Sequence, residues 1–549
     1  MFEHSLCFPL GEALFFDFCN KFSNFDFIRD KLKIENNIPA LHRCFSLARD
    51  AKMATIVLEN INPEGIIQQE IEDLKKSYSR YECRGLFRIS FWKEKISSTE
   101  QWNAISDALP LGYLILKKDF ISEEKEFQAT HVFEAVFADS TFCSIESHRF
   151  NHCATEYSVK LVDKVFKIKG IMFAQQNGLS KCCAHVALYS ILSMHNEREL
   201  EPSFVKMNTI IGKDARTAAK GLQLADIKKI LDAYGIQYTV YPRKKYPFNR
   251  IVYSGIESGG GVLLAFSTSS NLKLLLSSIP LIRNLVFAKP IGHIIPCWGH
   301  VFEKDIWTPM ASRHYFKNSH FSKTKYYASD NWTSHFIAHD DNFGCNLLIP
   351  RDYFKPMQIY YCIAIQNKAL GKYTSIEAEV QALAEFEDIY MALEPEIIFK
   401  PDAEDPNDPS KNSSTDMGLN WLKRLRENID ANSLILRTFS SSKEEYLEHL
   451  RNESDWHGNK ESEETLNDLE DMLKCSHIWI TEISVPQLFS SNERKLCEVI
   501  GDPNSIINEP REYALLVRMP MFYVMKQKIG YTYFESKLIS HIHNLSAIR

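Results

Sequence analysis

Two adjacent cysteines, Cys182 and Cys183, open an apolar helical pattern in the stretch QQNGLSKCCAHVALYSIL (175–192). Ser180 ahead of them is a good N-cap residue, and Ala184, Ala187, Leu188 and Ile191 recur behind them at helical spacing. This predicts a helix whose first turn carries both thiols. Unsatisfied N–H groups and the helix dipole at that end favour a thiolate over a thiol. A glutamine just upstream, Gln176 or its neighbour Gln175, is placed to donate an N–H to a developing oxyanion. Such a nucleophile needs an imidazole to take its proton and a third group to orient the imidazole. The chain offers His293, near the start of GHIIPCWGHVF (292–302), and Asp340 with Asp341 at the end of WTSHFIAHD (332–340). Singly, each has a plain structural reading: a buried small thiol, a satisfied strand histidine, a pair of turn aspartates. Their conjunction points to chemistry.

The elements that must position these residues follow from periodicity. The chain has 549 residues, enough for two to four domains. Residues 1–165 read as a mixed α/β domain, with a helical pattern at 64–79 and strand-like runs at 86–92, 112–118 and 131–145. Residues 166–355 hold the candidate site. There GLQLADIKKIL (221–231) reads as a helix stopped by Gly235, IQYTVY as a strand, and Gly259–Gly261 as a sharp turn before the strand VLLAFS. Residues 356–549 read as a second mixed α/β domain. It contains strands at 433–439, 477–483 and 513–519, a helix at 375–393, a helix RKLCEVIGD (494–502), and an exposed Pro/Asp/Ser-rich loop at 400–416.

The bulk numbers exclude several classes. Apolar content of 45% and charge of 24% are those of a soluble globular chain. A net charge of −6 gives no argument for nucleic acid. No uncharged apolar run of spanning length occurs; the richest, 272–287, is interrupted by Lys273, Pro280 and Arg283. Thirteen cysteines, an odd number with no CxxC pair, suggest a reducing cytoplasm and free thiols. The cluster Cys143, His148, His152 and Cys153 matches no standard zinc spacing and reads as polar surface.

Taken in order, the glutamine before a helix-borne cysteine, GLQLADIKKIL with its glycine stop, the glycine-rich turn into VLLAFS, GHIIPCWGH and FIAHDDNFG resemble the papain-like cysteine peptidases, closest to their C39-like branch. The resemblance covers about residues 170–350. It implies an α+β fold: a papain-like domain with a helix packed on an antiparallel sheet, flanked by N- and C-terminal α/β domains. It also implies Cys183 as nucleophile, His293 as general base, Asp340 as the group orienting it, and Gln176 with the Cys183 amide as oxyanion donors. The activity implied is hydrolysis of a peptide or isopeptide bond in a protein or peptide substrate, without metal or organic cofactor, nucleic acid or membrane. Cys182 stands as the alternative thiol, Gln175 and Asn177 as alternative donors, and Asp341 and Asp305 as alternative acids. His300 lacks a matching pattern, and His185, about 200° round the helix from Cys183, is expected to face away from the site.

Overall fold

In a computed structural model the described residues are 13–17, 24–105, 109–122, 126–138, 149–195, 201–243, 247–268, 292–303, 325–366, 373–397, 409–490, 493–505, 513–526 and 530–545. Asp305, Cys143, His148, the run 272–287 and residues 400–408 of the expected loop lie outside them.

Strands β1 (Ala13–Asp17), β2 (Thr55–Asn60), β3 (Tyr81–Trp92), β4 (Gly112–Ser122) and β5 (Glu126–Phe137) pair in sequence order as an antiparallel meander. Helices α1 (Asn24–Lys31), α2 (Pro39–Asp50), α3 (Gly65–Ser77) and α4 (Thr99–Ala104) connect or cover them. Successive strand residues point to opposite faces. Ile56, Leu58, Phe87 and Ile89 accordingly join one core beneath Leu41 and Phe45 of α2. Val57, Leu86 and Ile115 join another, which runs on into the centre of the molecule. A short strand β6 (Arg149–His152) and the hairpin β7 (Thr155–Leu161)–β8 (Lys164–Gly170) lead onward.

The central sheet is built from β9 (Gln237–Pro242), β10 (Val262–Ser267), β11 (Gly292–Phe302), β13 (Thr333–Asp340), β14 (Gly344–Pro350) and β15 (Ile359–Gln366), while β12 (Tyr327–Ala328) joins a different sheet. Its order is β14-β13-β11-β10-β15-β9, with β6 also paired to β11, and every pairing is antiparallel. Around it lie α5 (Cys183–Met194), α6 (Phe204–Ile211), α7 (Ala215–Ala218), α8 (Leu224–Ala233) and α9 (Phe248–Glu257). Leu188 and Ile191 of α5 share a core with Leu263, Ala265 and Ile294. Ile251 and Ile256 of α9 pack with Val262, Leu264 and Ile295. The alternation along β10 and β11 therefore feeds a helix on each face of the sheet. Leu188 and Ile191 are fully buried, so truncating either to alanine would cost about 2–5 kcal/mol.

The glycine turn before β10 is as expected, and its cause is local. Gly259 and Gly261 have φ of 75° and 72°, and a Cβ on Gly260 would meet the Ile365 carbonyl. The central sheet takes in β15, from beyond the expected break at 355/356, and β6, from before residue 165. Two other expectations are corrected. Residues 409–416 open a helix, Pro409–Asp430, instead of extending the loop. RKLCEVIGD is strand, not helix: β18 (Arg494–Lys495) and β19 (Cys497–Gly501). Every residue of β19 is buried, because it lies between two other strands of the C-terminal sheet, so its apolar run carries no helical periodicity that burial on both faces would not also produce.

That last sheet contains β12, β16 (Ile435–Ser442), β17 (His477–Ser484), β19, β20 (Ala514–Met519), β21 (Phe522–Lys526) and β22 (Tyr531–Glu535), with β23 (Ile542–His543) paired to β18. Only the two-residue contact of β12 with β16 is parallel. The molecule is mixed α/β with several antiparallel sheets. No helix among the described residues is long and apolar enough to cross a membrane.

Candidate active site

Three side chains ahead of α5 were candidate oxyanion donors, and two are occupied by the framework. Gln175 is tied to β5: its amide donates to the Val132 carbonyl at 3.0 Å, and its Oε1 accepts from the Val132 amide at 3.0 Å. Asn177 Oδ1 accepts from the amides of Leu179 at 2.9 Å, Ser180 at 3.0 Å and Lys181 at 3.3 Å, while its Nδ2 donates to Glu70 Oε1 at 2.8 Å. Gln176 alone turns elsewhere, its Nε2 lying 3.4 Å from Asn342 Oδ1 in the turn after β13.

The helix starts later than the sequence suggests. Ser180 is not its cap, because the hydroxyl donates to Glu70 Oε1 at 2.6 Å. Cys182 takes the N-cap position and Cys183 the first helical one. Glu70 is completely buried between Lys117 at 3.7 Å and Lys181 at 3.6 Å. Burial alone would raise its carboxyl, but the two ammonium groups prevail and hold it down at about 2. A charged anchor on α3 thus clamps the backbone that leads into the thiols.

His185 was expected to face away; it caps Cys182 instead. Its Nδ1 accepts the Cys182 amide at 3.2 Å and its Nε2 lies 2.8 Å from Asn208 Oδ1 on α6. Asn208 Nδ2 donates to the Ser180 carbonyl at 3.2 Å, so its oxygen faces the ring and Nε2 carries the hydrogen. Cys182 Sγ lies 3.3 Å from the same Nδ1. The two thiols share one ionisation. Their mutual hydrogen bond pulls Cys182 down, to about 4, against burial and with help from His185, and it pushes Cys183 up. Cys182 is buried and Cys183 is the more accessible of the two.

His293 stands opposite Phe266 where β11 enters the sheet, its ring edge-on to that phenyl at 5.4 Å. Its Nε2 faces Asp340 Oδ1 at 3.3 Å, Asp341 Oδ1 at 3.4 Å and Asn342 Nδ2 at 3.4 Å. The turn that brings these three residues together is braced from the N-terminal sheet. Gly344 has φ of 123°, a Cβ there would meet Arg43 of α2, and Arg43 Nε donates to the Cys345 carbonyl at 3.2 Å. Asp340 Oδ1 accepts the Asn342 amide at 2.9 Å. Asp341 is the more buried of the two, yet among the described residues neither of its oxygens has a hydrogen-bond partner. Burial works to lower His293, but the hydrogen bond and charge of Asp340, with Asp341, prevail and raise it. Asp340 moves down: burial opposes, and the His293 contact outweighs it. Asp341 is pushed up to about 7 by burial and by Asp340, against the pull of His293.

The thiol and the imidazole meet through one peptide unit. The Ile294 amide, next in chain to His293, is placed to stabilise a Cys183 thiolate, and Asp341 and Tyr361 lie within electrostatic reach of that sulfur. Among the described residues no hydrogen bond yet joins Cys183 Sγ to the His293 ring, whose carboxylate partners all approach Nε2. Catalytic contacts of this kind are commonly loose before substrate binds. The imidazole and the two carboxylates also bring three potential ligand atoms within 4.8 Å of one another.

The structure thus brings together Gln176, Cys183, His293, Asp340 and Asp341. It removes His300, which is fully buried with Nε2 2.5 Å from Glu257 Oε1. Cys153 is buried and donates to the Ile256 carbonyl at 3.3 Å. Asn342, Asn208 and Glu70 escaped the sequence reading. Asn342 was visible only as a turn residue, and the other two carry no local signal. Comparison with protein-family models, with curated proteins and with solved structures finds no match to this chain.

Proposed function

We propose that this chain is a cysteine-dependent hydrolase of the papain-like, C39-like kind, acting on a peptide or isopeptide carbonyl. The observation that carries the reading is the approach of two elements: the first residue of α5, Cys183, faces the Ile294 amide, and the adjacent His293 has its Nε2 backed by Asp340 at 3.3 Å. With Nε2 engaged by carboxylate, Nδ1 is the nitrogen left to exchange a proton with a thiol.

His293 takes the Cys183 proton as the sulfur attacks the carbonyl carbon. The resulting imidazolium is stabilised by Asp340 and returns the proton to the leaving amine. Gln176 Nε2 and the Cys183 amide stabilise the oxyanion, and water, deprotonated by His293, then releases the acid from the thioester. Deamidation or acyl transfer would use the same residues with a different acceptor. The flanking sheets favour a protein or peptide as substrate.

A thiol-directed acyl probe tests this on the native full chain. Labelling lost in Cys183→Ala and in His293→Ala, but kept in Cys182→Ala, supports the reading. Equal labelling of both cysteine variants, or labelling indifferent to His293, overturns it in favour of an interaction module with an inert thiol pair.

A further inference from the structure

The contacts around His293 are long for hydrogen bonds and suited to something else. Nε2 has at most one hydrogen, yet three polar atoms approach it: Asp340 Oδ1 at 3.3 Å, Asp341 Oδ1 at 3.4 Å and Asn342 Nδ2 at 3.4 Å. A good N–H···O bond is shorter, about 2.7–3.2 Å. Asp341 strengthens the point. It is 4% exposed, and among the described residues neither of its buried carboxylate oxygens has a hydrogen-bond partner. A buried carboxylate aimed at a second carboxylate and an imidazole is an expensive arrangement unless a proton or a cation completes it.

The spacing identifies the class of cation. Four donors at about 2.0–2.1 Å around a tetrahedral zinc ion stand about 3.3–3.4 Å from one another. Those are the separations found from Nε2 to its neighbours. Nitrogen with carboxylate oxygen is a donor set for a transition ion such as Zn²⁺, not for Ca²⁺ or Mg²⁺. The fourth position would be filled by water or by Asn342, whose amide turns its oxygen inward by rotating 180° with little movement of heavy atoms.

We infer that His293, Asp340 and Asp341 form a binding site for a divalent transition-metal ion of the zinc type, and that occupancy silences the thiol chemistry. Silencing rests on the hydrolase reading above; binding does not. A metal on Nε2 displaces the Asp340 contact that orients the ring, so the imidazole that would serve Cys183 is held by the ion instead.

The experiment uses the full chain stripped with chelator and titrated with Co²⁺, followed by visible absorption. The expected result is a saturable ligand-field band at one ion per chain, without the near-ultraviolet band of thiolate ligation, and displaced by Zn²⁺. Asp341→Asn, close in shape to the native residue, should weaken binding about ten-fold or more. His293→Ala serves as a second variant should the first fail to fold. No saturable band, a thiolate-type band, or an affinity unchanged in both variants overturns the site. In parallel, Cys183 alkylation is timed with and without Zn²⁺, and a fall of about ten-fold or more is expected. Metal-free protein that labels at Cys183 but binds no ion overturns the metal site and leaves the hydrolase reading standing. Protein that binds the ion but never labels keeps the site and overturns the hydrolase reading with its silencing.

Discussion

His293 and His300 lie seven residues apart on one strand, and the protein uses them in opposite ways. His293 sits where β11 begins, against Phe266, with two aspartates from a neighbouring turn on its Nε2. His300 is fully enclosed and paired with Glu257, which in turn binds Arg437 of the C-terminal sheet. From there the charges continue: Arg437 to Glu482 at 2.6 Å, Glu482 to Lys495 at 3.0 Å, Lys495 to Glu498 at 2.5 Å, and Glu498 to Arg518 at 2.7 Å. Every cation in that chain has a carboxylate on it, as buried charges require. Around His293 the balance is different. Two carboxylates meet one imidazole, and among the described residues Asp341 accepts no hydrogen bond of good geometry. The charge-balanced region is a joint between sheets, whereas the unbalanced one is free to exchange protons or take up a cation. Local charge balance separates the two histidines better than residue type or strand position does.

That contrast can be broken from either side. The largest effect is expected at the open end: Cys183→Ala should lower hydrolysis on the order of 10⁴–10⁶-fold, with His293→Ala comparable, and neither should move the urea midpoint much. At the closed end Glu257→Gln leaves Arg437 short of a counter-charge. It should destabilise the chain by about 3–5 kcal/mol, read from chemical denaturation, while the labelling rate of the protein that remains folded is unchanged. Gln176→Ala should lower kcat about 10²-fold with little change in KM, because its donor acts on the oxyanion and not on the ground state.

The pH dependence of stability should report the closed network. Burial raises Glu498, but Lys495 and Arg518 hold it down at about 2, so its contribution is complete above the ordinary carboxylate range and is lost as pH falls towards 2. His449 is pushed down to about 3, by burial first and then by Lys495. The unfolded chain therefore takes up that proton before the folded one, and stability drops as pH falls from about 6.5 towards 3. Urea midpoints measured from pH 8 to pH 3 should decline from about 6.5 downwards; a flat profile to pH 4 would contradict the buried, neutral His449. The smallest effect belongs to exposed pairs. Removing the 2.7 Å contact between Lys167 and Glu156 should change stability by less than about 1 kcal/mol and disappear at high salt.

Much of the site was legible because its parts have local signatures. A thiol at a helix start, a histidine at a strand start and aspartates before a glycine turn each announce themselves by neighbours a few residues away. Gln176, Cys183, His293 and Asp340 were named on that basis, and the structure brings them together. What lacked a local signature was missed. Ser180 looks like a cap, but its hydroxyl goes to Glu70, 110 residues earlier in the chain. His185 looks like a helix-face residue, but Asn208 fixes its tautomer and turns it into a cap. Cys497–Gly501 reads as helix until strands on both sides enclose it.

By itself the sequence determined part of the short-range order: where the chain turns and which side chains are capable of proton transfer. These depend on backbone sterics and periodicity, which act over a few residues. Tertiary structure alone decided which glutamine is spent on the framework, which cysteine caps the helix, which histidine is paired off, and how two aspartates share one ring nitrogen. Each of those outcomes is a contest between burial and a partner supplied from far along the chain, and neither burial nor partner is defined until the sheets have packed.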